Sequence, residues 1–358
     1  MHQENISKLK KEAIRISKAF EVIVQETLQN TNVSKSLDNS QLQEQLKNIK
    51  NEIDKLNDSK MDLAIVGTMK AGKSTTINAI IGKEVVPSRN RPMTTLPTQI
   101  EHTKGLDIPQ LTFAKTDPII KLCAEIQATK SHKDILHKLQ QAKSSNQKQV
   151  DGFDVPDLIE LIDFISKSIS SPKNLKAIKF TGSNDIYNFL KTLNDLARYA
   201  SLVNLEFPYG EYENITDLPV IHVEFASLKE FEQKDAKLIL LDTPGANEAG
   251  ESKHLKRILK QQLRKSSGVI AILDYTQLKS EADHELRDEV KKVVELNSES
   301  HLYVMVNKFD QKDSRSDDAE TVKQIVSQDL MQGHVKPENV FPVSSNLAYL
   351  ANRARDVL

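Results

Sequence analysis

The sequence predicts an α/β protein: a mainly parallel sheet flanked by helices, with a helical hairpin ahead of it and a helical insertion inside it. Three observations carry that prediction. From Asp62 onward, short apolar runs alternate with longer amphipathic stretches, the pattern of a sheet whose strands are covered by helices. A glycine-rich string, Gly67 to Ser74, stands between the first of those runs and a helical stretch. The first sixty residues instead repeat apolar positions at spacings of three and four.

In chain order, Ile6, Leu9, Ala13, Ile16, Phe20 and Ile23 form one apolar stripe. After a polar break, Leu42, Leu46, Ile49, Ile53 and Leu56 form another. Two narrow stripes joined by a short polar link read as an antiparallel hairpin. The stripes pack on each other or on the next domain, or one of them awaits a third helix. Leu63–Val66, Leu238–Leu241, Val269–Leu273, Leu302–Val306 and Val340–Val343 read as buried strands, with residues 98–103 and 220–225 as edge or antiparallel additions. Between about residues 115 and 201 the pattern is polar and helical, with Asp154 and Ser183 as N-caps and Ile186, Phe189, Leu190, Leu193 and Ala197 on one face. That stretch is expected to be an insertion. The expected domains are a hairpin at 1–58, an α/β domain at 59–345, and a last helix opening at 346–358.

Composition narrows the class. Lys plus Arg is 49 and Asp plus Glu is 50, a net charge of −1, so sequence-specific nucleic-acid binding is not expected. With 38% hydrophobic and 28% charged residues, the 358-residue chain is globular and not disordered. The single Cys123 excludes an internal disulfide framework. The polar opening is unlike a signal peptide, and no apolar run approaches the roughly 20 residues of a membrane span. The expected address is cytoplasmic.

Chemistry begins at Gly67-Thr-Met69-Lys70-Ala71-Gly72-Lys73-Ser74, which matches G-x-x-x-x-G-K-[ST] after an apolar strand and before a helix that includes Thr75. Glycines at both ends let backbone N–H groups wrap a phosphate, and the following helix N-terminus adds positive potential. Lys73 would reach the β- and γ-phosphates, and the Ser74 hydroxyl would bind Mg²⁺. Asp242-Thr-Pro-Gly245 follows the run Leu238–Leu241; there the carboxylate serves a nucleotide-bound Mg²⁺, and the Gly245 N–H can sense a γ-phosphate. Asn307-Lys308-Phe-Asp310 ends another strand. The Asp310 carboxylate can accept from the guanine N1–H and 2-amino group. Adenine offers neither donor, a difference worth a factor of about 10⁴. Lys308 would lie against the base plane and Asn307 would brace the loops. Ser344-Ser345, after the last strand, can touch the base edge. These four elements, in this order, spell a GTP/GDP site. A switch threonine for Mg²⁺ and the γ-phosphate falls in Met93-Thr94-Thr95, with Thr94 preferred to Thr95.

Together G-T-M-K-A-G-K-S-T, T-x-x-P-T, D-T-P-G and N-K-x-D, preceded by helices, resemble the dynamin-like GTPase superfamily. NRPMTTLPT, LLDTPGANEAG, LDYTQLKS and FPVSSNLAYLANRAR are closer still to bacterial dynamin-like proteins that bind the replication sliding clamp. The likeness spans nearly all of residues 61–358. It implies a Mg²⁺-dependent, self-associating GTP hydrolase with a dynamin-type G domain and a bundle-signalling-like hairpin. The sliding clamp or chromosome positioning is the implied partner or task, with membrane work an alternative, so that the chain would sit peripherally at the nucleoid or a membrane. Three departures stand out. Dynamins continue into a long helical stalk, whereas this sequence stops at Leu358, just inside the helix that opens near Asn346, so the stalk is expected to be cut off here or supplied elsewhere. Met69 replaces the water-holding glutamine of eukaryotic dynamins, and Ala246 after Gly245 leaves the small-GTPase glutamine absent too. Lys70 stands where dynamins have a small residue that helps hold a monovalent cation, and where guanylate-binding proteins and atlastins place an arginine finger. Lys70 is expected either to replace that ion or act as an internal finger, positioned when two G domains meet as a homodimer, or to point to solvent as an ordinary surface lysine.

Overall fold

The computed structural model describes residues 2–29, 39–58, 60–67, 70–87, 95–170, 178–212, 215–229, 237–244, 263, 266–278, 301–313 and 317–355. The chain divides into two compact units, Met1–Asp62 with Glu232–Ile239 and Leu63–Phe231 with Leu240–Leu358.

The first unit holds α1 (His2–Gln29) and α2 (Asn39–Asp58). Lys10 Nζ donates to the Asn57 carbonyl oxygen at 3.2 Å, and Lys50 Nζ lies 3.8 Å from Glu21 Oε1. The early part of α1 therefore meets the end of α2, and the pair is antiparallel. The α2 stripe is half-buried to buried, with Ile53 the most enclosed. On the α1 stripe Leu9, Ile16, Phe20 and Ile23 are 47–69% exposed and Ala13 is half-buried.

The second unit is built on a nine-stranded sheet. In chain order come β1 (Lys60–Gly67), α3 (Lys73–Ile81), β2 (Thr98–His102) and β3 (Gln110–Phe113). Then follow α4 (Asp117–Ala128), α5 (Lys130–Ser144), the small hairpin β4 (Gln149–Val150) and β5 (Phe153–Asp154), and α6 (Val155–Ser170). The chain continues through β6 (Ile178–Thr181), α7 (Ser183–Leu202), β7 (Val220–Val223), β8 (Lys237–Asp242) and β9 (Gly268–Asp274). It ends with β10 (His301–Asn307), α8 (Ala319–Gln324), β11 (Val340–Pro342) and α9 (Ser345–Arg355).

The strand order is β11-β10-β9-β1-β8-β2-β7-β3-β6. Three expectations are revised. Residues 98–102 and 220–223 form interior strands, parallel to each other, because β3 and β6 extend the sheet beyond them; β3 runs antiparallel to both β7 and β6. The strand β6 lies inside the stretch expected to be helical throughout. Gly182, with φ of 99°, holds the cap position of α7 and displaces Ser183 into the helix.

The strands β11, β10, β9 and β1 are mutually parallel. Buried on both faces, such strands read as continuous apolar runs, and β9 is buried along its whole length. On one face Val66, Ala271, Leu273, Val304 and Val306 pack with Val322 of α8 in a single apolar cluster. Parallel order has a consequence for function: the carboxyl ends Gly67, Asp274, Asn307 and Pro342 all point to the same edge of the sheet. The loops that leave those ends converge there.

Candidate nucleotide-binding site

The strand β1 delivers the glycine-rich loop to that edge. At Gly67 a Cβ would sit 3.1 Å from the Ile272 carbonyl oxygen of β9, closer than most side chains tolerate. Gly72 has φ of 92°, and a Cβ there would collide with Asn307 Nδ2. That space is used. Asn307 Nδ2 donates to the Ala71 carbonyl oxygen at 2.8 Å, and Asn307 Oδ1 accepts from the Ser345 N–H at 2.9 Å. One buried amide thus joins the glycine-rich loop, the end of β10 and the turn after β11. Thr76 of α3 reinforces the junction, its hydroxyl donating to the Gly72 carbonyl oxygen at 2.9 Å and lying 2.7 Å from Ser345 Oγ. Gly72→Ala should therefore strain the left-handed turn and expel the Asn307 amide together. A loss of about 2–3 kcal/mol in thermal unfolding is expected, with weakened nucleotide binding.

On the other flank Lys73 is buried. Its Nζ donates to the Thr243 carbonyl oxygen and lies 3.6 Å from Asp242 Oδ1. The Thr243 hydroxyl in turn donates to the Ile65 carbonyl oxygen at 2.6 Å, which ties the loop after β8 to β1. Ser74 and Thr75 follow in the first turn of α3, both half-buried. Lys70 is exposed and adopts φ of 69°, a region non-glycine residues seldom enter. The hydroxyl of Ser74 and the carboxylate of Asp242 are hard oxygen donors, a set that suits Mg²⁺. Asp242 is only 3% exposed, and its charge faces Lys73.

At the base side Lys308 also has a left-handed backbone, φ 61°, and its Nζ lies 2.5 Å from Asp274 Oδ2. The other Asp274 oxygen accepts from the Thr276 N–H at 2.9 Å and the Thr276 hydroxyl at 2.7 Å. Asp310 stands on the short turn Phe309–Gln311, exposed. Ser344 is half-buried at the start of α9. Thr94, Met69 and Gly245 lie outside the described residues. Thr95, next to the preferred switch threonine, is described: its N–H donates to Asn194 Oδ1 of α7 at 2.8 Å. Asn194 and Asp242 line one small cavity with Leu96 and Pro87.

The structure thus brings the glycine-rich loop together with Asp242, Asn307 and Ser345. Thr76, Asn194, Thr243 and Asp274 received no role from the motifs. Only Asp274 leaves a trace in the sequence, as an acidic residue closing a wholly apolar strand.

Residues 63–309 match the Dynamin family. The chain belongs to the dynamin family. Among its relatives in that family, the clamp-binding protein CrfC of Escherichia coli is 46% identical over 310 residues, 87% of this chain and 39% of that protein. The CrfC of strain K12 is 46% identical over 307 residues, 86% of this chain and 39% of its own length. This dynamin-family chain accordingly spans about two fifths of the curated relatives it matches. A solved oligomerised bacterial dynamin pair, described as a mechanism for long-range sensing and tethering of membranes, shares 17% identity at a TM-score of 0.42, over 97% of this chain and 40% of its own.

Proposed function

We propose that the chain binds GTP with Mg²⁺ and hydrolyses it to GDP and phosphate, fastest when two G domains meet. The observation that carries this reading is the buried junction in which Asn307 fastens the glycine-rich loop to both base-side loops while Lys73 faces Asp242. In this reading residues 59–345 are the G domain with its insertion at about 115–201, residues 1–58 its hairpin and residues 346–358 the opening of a further helix.

Each residue has a task that follows from its chemistry. Backbone N–H groups from Gly67 to Ser74 wrap the phosphates, and the N-terminus of α3 adds its positive potential. Lys73 carries a full positive charge in a dry setting, where it counts for most, and phosphate oxygens take over the role Asp242 plays here. Ser74, Asp242 and Thr94 would hold Mg²⁺, which when bound neutralises charge on the phosphoryl oxygens. Lys308 flanks the base, and Asp310 accepts from its N1–H and 2-amino group. Asp310→Asn should lower GTP affinity by about 3 kcal/mol, read by calorimetric titration. Equal affinity of the unmutated protein for ATP and GTP would sink the base assignment.

A second reading has an observation of its own. With Met69 and Ala246 where water-positioning glutamines would stand, the chain could serve as a GTP-dependent scaffold without turnover. Single-turnover hydrolysis across a protein dilution series separates the two: a rate that rises with protein concentration supports the self-stimulated hydrolase, and bound but unhydrolysed GTP at every concentration supports the scaffold. The name of the E. coli relatives motivates the replication sliding clamp as partner, testable by gel filtration with purified clamp. No helix among the described residues is long and apolar enough to cross a membrane, and peripheral association with lipid is tested by liposome sedimentation.

A further inference from the structure

We infer that Asp274 is a positioning residue for guanine recognition, acting by holding the Lys308 side chain in place. This inference rests on the guanine-site reading above. The register of the sheet creates the arrangement: Asp274 and Asn307 are direct partners at the ends of β9 and β10, so the residue after Asn307 begins its course beside the Asp274 carboxylate. Both carboxylate oxygens are committed. Oδ1 is fixed by the backbone and hydroxyl of Thr276, and Oδ2 receives the Lys308 ammonium at 2.5 Å. Asp274 is 2% exposed and the Lys308 side chain 29%. The next pair along the two loops is also joined, Tyr275 and Phe309 meeting edge to face at 5.2 Å.

An ordinary structural ion pair explains this poorly. Burying a carboxylate to meet an ammonium brings a desolvation penalty that can cancel the attraction, and an apolar pair would serve the fold as well. What the pair supplies is direction. A lysine left alone samples many rotamers, whereas one anchored at both ends, by a left-handed backbone at Cα and by Asp274 at Nζ, presents its methylene stem as a fixed edge. A planar base resting on that edge gains the order in advance.

The test is release of a GDP carrying a ribose-linked fluorophore from the full chain in Mg²⁺ buffer. Asp274→Ala should accelerate release about tenfold or more, as expected for loss of a charge-assisted bond. Asp274→Asn, which keeps the side-chain volume and one acceptor for Lys308, should recover part of that loss, and it reads the same effect if the alanine variant folds poorly. In a Lys308→Ala background, Asp274→Ala should have no further effect, an outcome that general loosening of the loop would not give. Release within twofold of the unmutated rate in both Asp274 variants would overturn the inference, as would effects of Asp274→Ala and Lys308→Ala that multiply. If the unmutated chain fails to bind the labelled GDP, the guanine-site reading itself falls and this inference with it.

Discussion

Lys73→Ala is expected to weaken GTP binding about a thousandfold, a loss of about 4 kcal/mol. Two effects add. The triphosphate loses a buried cation that no other described side chain in the loop can replace, since Lys70 is exposed. The protein also loses the charge that faces the buried Asp242 carboxylate at 3.6 Å. Removing one partner of a buried pair typically costs about 3–5 kcal/mol, so the nucleotide-free variant should also melt earlier. The two effects separate in a second variant. Lys73→Ala combined with Asp242→Asn should regain much of the stability and none of the affinity. Calorimetric titration and thermal unfolding read the pair. Tight GTP binding by Lys73→Ala would remove this lysine from the phosphate contact.

Lys70→Ala should leave GTP affinity within about twofold and lower the turnover by about 10³, the usual scale for a cation delivered to a phosphoryl group in flight. The side chain starts from an exposed, left-handed position in the phosphate loop, free of the core that holds Lys73. The expected loss follows if a second G domain closes over it, the lysine ammonium then taking the place of a recruited monovalent ion. Turnover of the unmutated protein should then be indifferent to replacing potassium by a large inert cation. Normal turnover by Lys70→Ala would leave this residue an ordinary surface lysine.

The parts of the fold that were legible in sequence are the strands with unbroken apolar runs. Such runs lie within β1, β8, β9, β10 and β11, and β9, buried along its whole length, is the plainest of them. The strands β3 and β6 were not legible. Each is four residues long with mixed polarity, and what makes them strands is mutual pairing, Gln110 against Thr181 through Phe113 against Ile178. That is a non-local fact. Missing them also misplaced β2 and β7, since a strand is an edge only if nothing lies beyond it. The site shows the same division. Phosphate contact demands glycine at fixed spacings and guanine reading demands an Asp near a strand end, so both left motifs. The partner of Asp274 depends on register with a strand many residues away, and that of Asn194 on a helix packed beside Thr95, so neither contact could be read along the chain.

The bonds that close the nucleotide site join residues far apart in sequence: 236 positions separate Asn307 from Ala71, 269 separate Ser345 from Thr76, and 170 separate Thr243 from Lys73. Contacts of such span form late in folding, because the chain between them must be ordered before they can be made. A ribosome must therefore release the chain past residue 345 before GTP has a finished place to bind. Until then the nucleotide cannot act as a template. Afterwards it acts as a latch: free ligand at a hundredfold excess over its dissociation constant adds about 2.7 kcal/mol to the stability of the complete fold and none to a partial one.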